Sequence, residues 1–257
     1  MRPPLVLLHG MWSSPAAFAR LRPVLEGEGW ETHAPALPFH DRDPSLPPPE
    51  GLGRITIEDY VQHLAGIIAR LGRPPVLIGH SMGGMLAQVL AARLPHAGLV
   101  LLATAATDST RSLGLDSLRT LWGVVSHWGW WEAPVRIGAD AARWGIYNGV
   151  PDDVASAEIA RLTWDSGRVL AEMIRPALSA TTATRIDLAR LTRPALLIVG
   201  REDRILPPAI SLKTARLLGG AVDYEELRGA GHWLFHGEAE RRMTARLLGW
   251  LGHQEPA

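Results

Sequence analysis

The sequence predicts an α/β protein in which helices flank a mostly parallel sheet. Short, uninterrupted apolar runs recur along the chain, as in parallel strands that are covered on both faces. Between these runs lie segments whose apolar residues are three and four positions apart, a spacing typical of helices with one buried face. Strands that alternate with helices favour a parallel sheet with right-handed crossover connections.

Four short, continuous apolar runs predict buried strands. These runs are Leu5 to Leu8, Pro75 to Ile78, Leu99 to Leu102 and Ala195 to Val199. A fifth, more polar run from Val222 to Leu227 has the character of a strand as well. The sequence therefore predicts strands spread over nearly the whole chain.

Three helices are predicted between and after these strands. The first begins after Thr56, which forms a capping-box pattern with Asp59, and it stops before the Gly and Pro residues at positions 72 to 75. The second starts just after Ser81 and reaches about Arg93, and the last runs from about Glu238 to Leu251.

Residues 107–191 interrupt the alternation, because they contain helical patterns and no obvious strand. Six of the ten Trp residues lie there. We therefore predict two domains: a core of residues 1–106 and 192–257, and a helical insertion of residues 107–191.

Composition excludes several classes of function. The 26 basic and 26 acidic residues balance, so the chain lacks the positive field that a nucleic acid partner requires. It has no Cys, which excludes disulfides and thiolate chemistry. No stretch approaches the roughly 18 to 20 apolar residues of a membrane span, and the first apolar run is too short for a signal peptide. We expect a cytoplasmic protein without stable membrane association.

The segment Gly79-His80-Ser81-Met82-Gly83 fits the pattern G-x-S-x-G, with a strand before it and a helix after it. A Ser on such a turn takes a strained backbone conformation, and the flanking Gly residues keep side chains out of the turn. The turn exposes the hydroxyl at the carboxyl ends of the strands, where open α/β sheets bind ligands. Ser81 is therefore the candidate nucleophile.

A Ser nucleophile needs a base and usually a carboxylate that orients the base. Asp203 follows the strand that ends at Val199, and His232 follows the strand that ends at Leu227, so both lie at the same sheet edge as Ser81. Glu202 is the alternative acid. His236 lies four residues after His232, a spacing that suits a metal pair on a helix, but no third ligand is evident. The candidate triad is Ser81, Asp203 and His232.

The turn after the first strand predicts an oxyanion hole. His9-Gly10 closes that strand, and a sharp turn there points backbone N–H groups at a developing oxyanion. We expect the donors to be the N–H of Met11 and the N–H of Met82, the residue after the nucleophile.

The order of these elements resembles the α/β-hydrolase superfamily. The resemblance rests on the His9-Gly10 turn, the Ser81 turn, the insertion ahead of the acid, and the acid and His that follow. It implies the triad and oxyanion roles given above, and it makes residues 107–191 a cap that roofs the site. Two departures stand out. The loop Ala36 to Asp41 differs from the family's usual D-L-P-G-H-G, and the early first strand suggests a sheet of about six strands without the N-terminal hairpin.

The resemblance implies hydrolysis of carboxylic esters through an acyl-enzyme, with no cofactor and no metal. We expect a medium or small hydrophobic ester as substrate, because a cap over a sheet edge creates an apolar pocket. The candidate pocket residues are aromatic: Trp12, Trp122, Trp128, Trp131 and Trp233. Lactonase, C–C bond (diketone) hydrolase and cofactor-free perhydrolase or haloperoxidase activities remain alternatives on the same triad. A non-catalytic ligand-binding protein is the alternative from another class, and the oligomeric state is left open.

Overall fold

A parallel sheet of six strands forms the centre of the protein. The computed structural model describes residues 1–112, 114–174 and 181–253. The strands of this sheet are β1 (Leu5–Leu8), β2 (Thr32–His33), β3 (Val76–His80), β4 (Gly98–Leu102), β7 (Ala195–Gly200) and β8 (Val222–Leu227). Their order is β2-β1-β3-β4-β7-β8, and all neighbouring strands are parallel. The predicted fold class is therefore confirmed.

The apolar strands are buried on both faces. Leu5 and Leu7 pack into one hydrophobic cluster, whereas Val6 and Leu8 pack into another on the opposite side. This explains why the sequence shows continuous apolar runs and no alternation. Strand β2 escaped prediction because its two residues are partly exposed and too few to show a pattern.

Nine α-helices lie in the described ranges. They are α1 (Leu21–Gly27), α2 (Ile57–Ala69), α3 (Met82–Ala91), α4 (Leu115–Val125), α5 (Ala139–Gly145), α6 (Asp152–Ala160), α7 (Gly167–Ile174), α8 (Pro208–Leu217) and α9 (Gly237–His253). The predicted capping box of α2 is present, since Thr56 and Asp59 each accept a hydrogen bond from the other's backbone N–H. No helix in the described part of the chain is both long and apolar enough to cross a bilayer.

The segment between β4 and β7 carries α4 to α7, as its helical pattern predicted. It also contains a small antiparallel pair of strands, β5 (Pro134–Val135) and β6 (Asp165–Ser166). The expectation of a strand-free insertion was therefore wrong, because two-residue strands leave no periodic signal. The pair closes the segment against the core, where Ser166 Oγ donates a hydrogen bond to the carbonyl oxygen of Ile55 at 2.6 Å.

Candidate active site

Ser81 lies between β3 and α3 with φ 57° and ψ −124°. A positive φ is uncommon for a residue with a side chain, and such strain is characteristic of functional turns. Two backbone hydrogen bonds hold the turn: the Ser81 N–H donates to Leu102 O at 3.0 Å, and Ala105 N–H donates to Ser81 O at 2.9 Å. The neighbouring strand thus fixes the conformation that presents the hydroxyl.

Close backbone packing explains the Gly residues around Ser81. A Cβ on Gly83 would overlap the carbonyl oxygen of Leu8, and a Cβ on Gly79 would overlap that of Gly83. These contacts are with backbone atoms, which have little freedom to move. The Gly residues therefore allow α3 to approach the sheet closely enough to form the turn.

Gly83→Ala is expected to destabilise the protein, because the overlap forces α3 away from β1. Overpacking of this kind costs about 1 to 3 kcal/mol, so Tm in thermal unfolding should fall. The matched control is Gly123→Ala, at an exposed position of α4 where an added Cβ meets nothing within 4 Å. That change should stabilise the helix by about 0.5 to 1 kcal/mol. Equal Tm values for the two variants would contradict the packing account.

Asp203 and His232 form a buried pair. Asp203 Oδ2 lies 2.7 Å from His232 Nδ1, and its Oδ1 accepts hydrogen bonds from the N–H groups of Ile205 and Leu206 at 3.0 and 2.9 Å. The carboxylate only accepts, so Nδ1 carries a proton, and in the neutral ring Nε2 is then the acceptor. This is the tautomer that a general base requires. Glu202, the alternative acid, is exposed and does not bond to His232 in the described structure.

Ser81 and His232 line the same cavity. Among the described residues, Ser81 Oγ donates no hydrogen bond, so its link to His232 is not formed in this conformation. Hydrogen bonds of this kind often tighten only in the complex with substrate. His236 is partly exposed and does not line the cavity formed by the described residues.

The turn after β1 brings backbone close to Ser81. A Cβ on Gly10 would lie 2.9 Å from Ser81 Cβ and 3.3 Å from Ser81 Oγ, and Met11 lines the same cavity. Met82 begins α3, where backbone N–H groups have no intrahelical acceptor. Both predicted oxyanion donors thus lie on segments that flank Ser81, and their role stays a prediction.

His80 is a residue of the site that sequence reasoning missed. Its ring lies 4.9 Å from the His232 ring, and its Nε2 donates a hydrogen bond to the His232 carbonyl oxygen at 3.2 Å. Burial, and then proximity to His232, lowers the pKa of His80 to about 3. The neutral ring therefore supports the His232 loop without adding charge. Its place in the G-x-S-x-G segment was the only available signal.

Residues between β4 and β7 hold the loops that carry Asp203 and His232. Trp233 N–H donates to Ile146 O at 3.1 Å, and Asn148 Nδ2 donates to the carbonyl oxygen of Glu202 at 2.8 Å. Arg204, next to Asp203, stacks on the Trp144 ring at 3.8 Å. The positions of Asp203 and His232 thus depend on the insertion as well as on the sheet.

The predicted pocket Trp residues divide into two groups. Trp12 and Trp233 line the cavity, whereas Trp122, Trp128 and Trp131 do not line it in the described structure. Trp122 and Trp128 are 61% and 94% exposed, and Trp128 packs edge-on against Trp131. The pocket prediction was wrong for these three. Helix α4 turns Leu121 toward the cavity, and the next residue on a helix points about 100° away.

The cavity is apolar and uncharged along its described lining. Aliphatic side chains from α4, α7 and the Asp203 loop surround it, and none of its described lining residues is Asp, Glu, Lys or Arg. Its apolar lining includes Leu121, Leu162, Leu170, Met173 and Ile205. Such a lining favours a substrate whose buried part is neutral and apolar.

Comparison with known proteins agrees with this arrangement. Residues 5–246 match the Alpha/beta hydrolase family. The chain is 34% identical to a pyrethroid hydrolase of Sphingobium wenxiniae over 107 residues, which are 40% of this chain and 36% of that protein. Longer matches include a 2-hydroxy-6-oxo-2,4-heptadienoate hydrolase of Pseudomonas putida, 27% identical over 90% of this chain and 83% of that protein. A pimeloyl-[acyl-carrier protein] methyl ester esterase of Xanthomonas oryzae is 28% identical over 95% of this chain and 93% of that protein.

A solved structure shares the fold. The monoacylglycerol lipase of Paleococcus ferrophilus superposes with a TM-score of 0.70 at 21% identity, covering 99% of this chain and 97% of that one. At this identity the likeness concerns the fold alone. Because the family match spans the sheet, the Ser81 turn and the Asp203 and His232 loops, the chain belongs to the α/β-hydrolase family.

Proposed function

We propose that the protein is a serine hydrolase that cleaves small, neutral, hydrophobic carboxylic esters through an acyl-enzyme. The observation that carries the proposal is the shared cavity: Ser81, His232 and the turn at Gly10 to Trp12 meet in one lining that is otherwise apolar. The hydrogen bond from His232 to Asp203 supports a base in the required tautomer. Relatives that include a methyl ester esterase support the same reaction class.

The reaction proceeds in two stages. Ser81 Oγ attacks the ester carbonyl while His232 Nε2 takes the hydroxyl proton, and the proton then passes to the leaving alcohol. The N–H groups of Met11 and Met82 bind the oxyanion of each tetrahedral intermediate, a contribution of roughly 3 to 4 kcal/mol for a donor. Water, activated by His232, then attacks the acyl-enzyme, which releases the acid and restores Ser81.

C–C bond hydrolysis is the second candidate, because the dienoate hydrolase matches over 90% of the chain. The name of that relative's substrate implies a carboxylate. No cation lines the described part of the cavity here, and an unpaired buried carboxylate is costly. The lining therefore favours neutral esters over such substrates.

A matched pair of substrates tests this preference. Dimethyl adipate and monomethyl adipate have the same chain, but only the second carries a free carboxylate. We expect kcat/KM to be at least about tenfold higher for dimethyl adipate, because the carboxylate would lose its hydration in an apolar cavity. A caprolactone and a 2-hydroxy-6-oxo-dienoate complete the panel. Faster turnover of the dienoate than of every ester would replace the proposal with C–C bond hydrolysis.

A further inference from the structure

A second buried ionic cluster lies beside the candidate oxyanion turn, outside the triad. Its centre is Asp165 of β6, which is fully buried and does not line the cavity formed by the described residues. Asp165 Oδ1 accepts hydrogen bonds from Tyr60 Oη at 2.8 Å and from the Ser166 N–H at 2.7 Å. Its Oδ2 lies 3.1 Å from His40 Nε2 and accepts a hydrogen bond from the Trp12 N–H at 2.9 Å.

The geometry requires His40 to be an imidazolium. His40 Nδ1 lies 2.9 Å from the carbonyl oxygen of Pro38, and Nε2 faces the carboxylate of Asp165. Both partners only accept hydrogen bonds, so both ring nitrogens must carry protons. Burial alone lowers the pKa of His40, but the adjacent Asp165 outweighs it and raises that pKa above its ordinary value. Asp165 is thus held as a carboxylate by a buried cation.

The Asp165 carboxylate reaches the turn that carries the candidate oxyanion donor. Trp12 has φ 59°, an uncommon conformation that needs support from its surroundings. Asp165 holds the Trp12 N–H, while the Trp12 carbonyl oxygen accepts a hydrogen bond from Thr163 N–H at 2.8 Å. Both supports come from the insertion, and the Met11 N–H belongs to the adjacent peptide unit.

We propose that Asp165 is a positioning residue of the active site, which holds the backbone of Trp12, and with it the Met11 N–H, in place to bind the oxyanion. This inference rests on the acyl-enzyme function proposed above. In this role Asp165 makes the insertion contribute to transition-state stabilisation as well as covering the cavity. A displacement of about 1 Å at such a site lowers a rate by about 100-fold. The loss of a single hydrogen bond that positions the turn is therefore enough to lower the rate of hydrolysis.

The variant Asp165→Asn tests the positioning role while keeping most of the contacts that stabilise the fold. With its carbonyl oxygen in place of Oδ1, Asn keeps the bonds from Tyr60 and Ser166. The amide nitrogen of Asn then takes the place of Oδ2 and donates a hydrogen bond to Nε2 of a neutral His40. The same nitrogen faces the Trp12 N–H, and the hydrogen bond to Trp12 is lost because both groups are donors. The variant therefore preserves three contacts of the cluster and removes the one to the oxyanion turn.

The matched control is Glu172→Gln. Glu172 is a buried carboxylate of the insertion that accepts a hydrogen bond from the backbone N–H of Ile57, a core residue, at 2.9 Å.

We expect Asp165→Asn to lower kcat by about 10- to 100-fold with little change in KM. A trifluoromethyl ketone, whose adduct with Ser81 places an oxyanion in the hole, should lose affinity by a similar factor. Glu172→Gln should lower Tm and leave kcat unchanged.

The results that would refute the positioning role of Asp165 differ from those that would refute the proposed ester hydrolysis. Wild-type protein that hydrolyses no ester refutes the proposed function. An active wild type whose folded Asp165→Asn variant has unchanged kcat and inhibitor affinity overturns the positioning role alone. Equal losses of kcat in Asp165→Asn and Glu172→Gln also overturn it, since that result would indicate a general effect of buried carboxylates.

If Asp165→Asn does not fold, the pH dependence of kcat tests the inference instead. Asp165, Asp41, His9 and Tyr60 are the titratable groups that face His40. Burial and His40 lower the pKa of His9 to about 3, and burial and Asp165 raise that of Tyr60, so both are neutral around pH 8. As pH rises through the raised pKa of His40, the ring loses one proton and its positive charge. The buried Asp165 carboxylate then lacks its counter-charge, which destabilises the cluster that holds the Trp12 N–H. We expect kcat to fall on this alkaline side in the wild type but not in His40→Gln; identical alkaline profiles would overturn the inference.

Discussion

Ser81→Ala is expected to reduce kcat/KM for dimethyl adipate by roughly 10⁴-fold or more, because loss of the nucleophile removes the acyl-enzyme path. The remaining rate would come from the oxyanion hole and substrate binding alone. The fold should survive, because Ser81 Oγ makes no hydrogen bond among the described residues and its removal leaves no polar partner unpaired. Steady-state kinetics and Tm together measure both effects.

The matched control for this change is Ser211→Ala. Ser211 is buried in α8, and its Oγ has no hydrogen-bond partner among the described residues. Removing such a hydroxyl is neutral or slightly stabilising. We expect unchanged kcat/KM in Ser211→Ala. If Ser81→Ala retained the activity of this control, Ser81 would not be the nucleophile.

Asp203→Asn is expected to lower kcat by on the order of 10³- to 10⁴-fold. Asp203 Oδ1 accepts two backbone N–H groups, so the Asn carbonyl oxygen must occupy that position. The amide nitrogen then faces His232 Nδ1 and donates to it. His232 is thereby held with its proton on Nε2, where it cannot act as a base toward Ser81.

Glu202→Gln is the control for the acid. Glu202 is the neighbouring carboxylate, and it is exposed to solvent. Loss of its charge changes neither the Asp203 hydrogen bonds nor the His232 tautomer, so kcat should stay at the wild-type level. A larger loss in Glu202→Gln than in Asp203→Asn would show that the acid had been assigned to the wrong residue.

The sequence was sufficient to predict most of the sheet. Strands such as β1 and β7 are buried on both faces, and burial leaves a continuous apolar run that is readable without a structure. Strands β2, β5 and β6 are two residues long, so their pairing depends on tertiary contacts and not on a local pattern. Length therefore separates the predicted strands from the missed ones.

The candidate triad was predictable because each member follows a readable strand. Parallel strands end at one sheet edge, and this brings Ser81, Asp203 and His232 together. The pocket was less predictable, since the aromatic content of residues 107–191 does not indicate which way a side chain points. Trp128, which we predicted to line the pocket, is almost fully exposed instead.

The Asp165 cluster had almost no signal in the sequence. His40 and Asp165 are 125 positions apart, and each looks like an ordinary polar residue of an irregular segment. Only the folded chain shows that they share a buried hydrogen bond beside the candidate oxyanion turn. The altered loop at Ala36 to Asp41 was the nearest hint, because it departs from the family pattern at the segment that carries His40.

The most direct test of the central claim is the site of covalent labelling by a fluorophosphonate. The intact wild-type protein should gain the mass of one phosphonyl group, and peptide mass spectrometry should locate it on Ser81. Prior incubation with a hydrophobic ester should slow the labelling, because both compete for one cavity. A wild-type protein that stays unlabelled, or a label located on a residue other than Ser81, would contradict the assignment of Ser81 as the nucleophile.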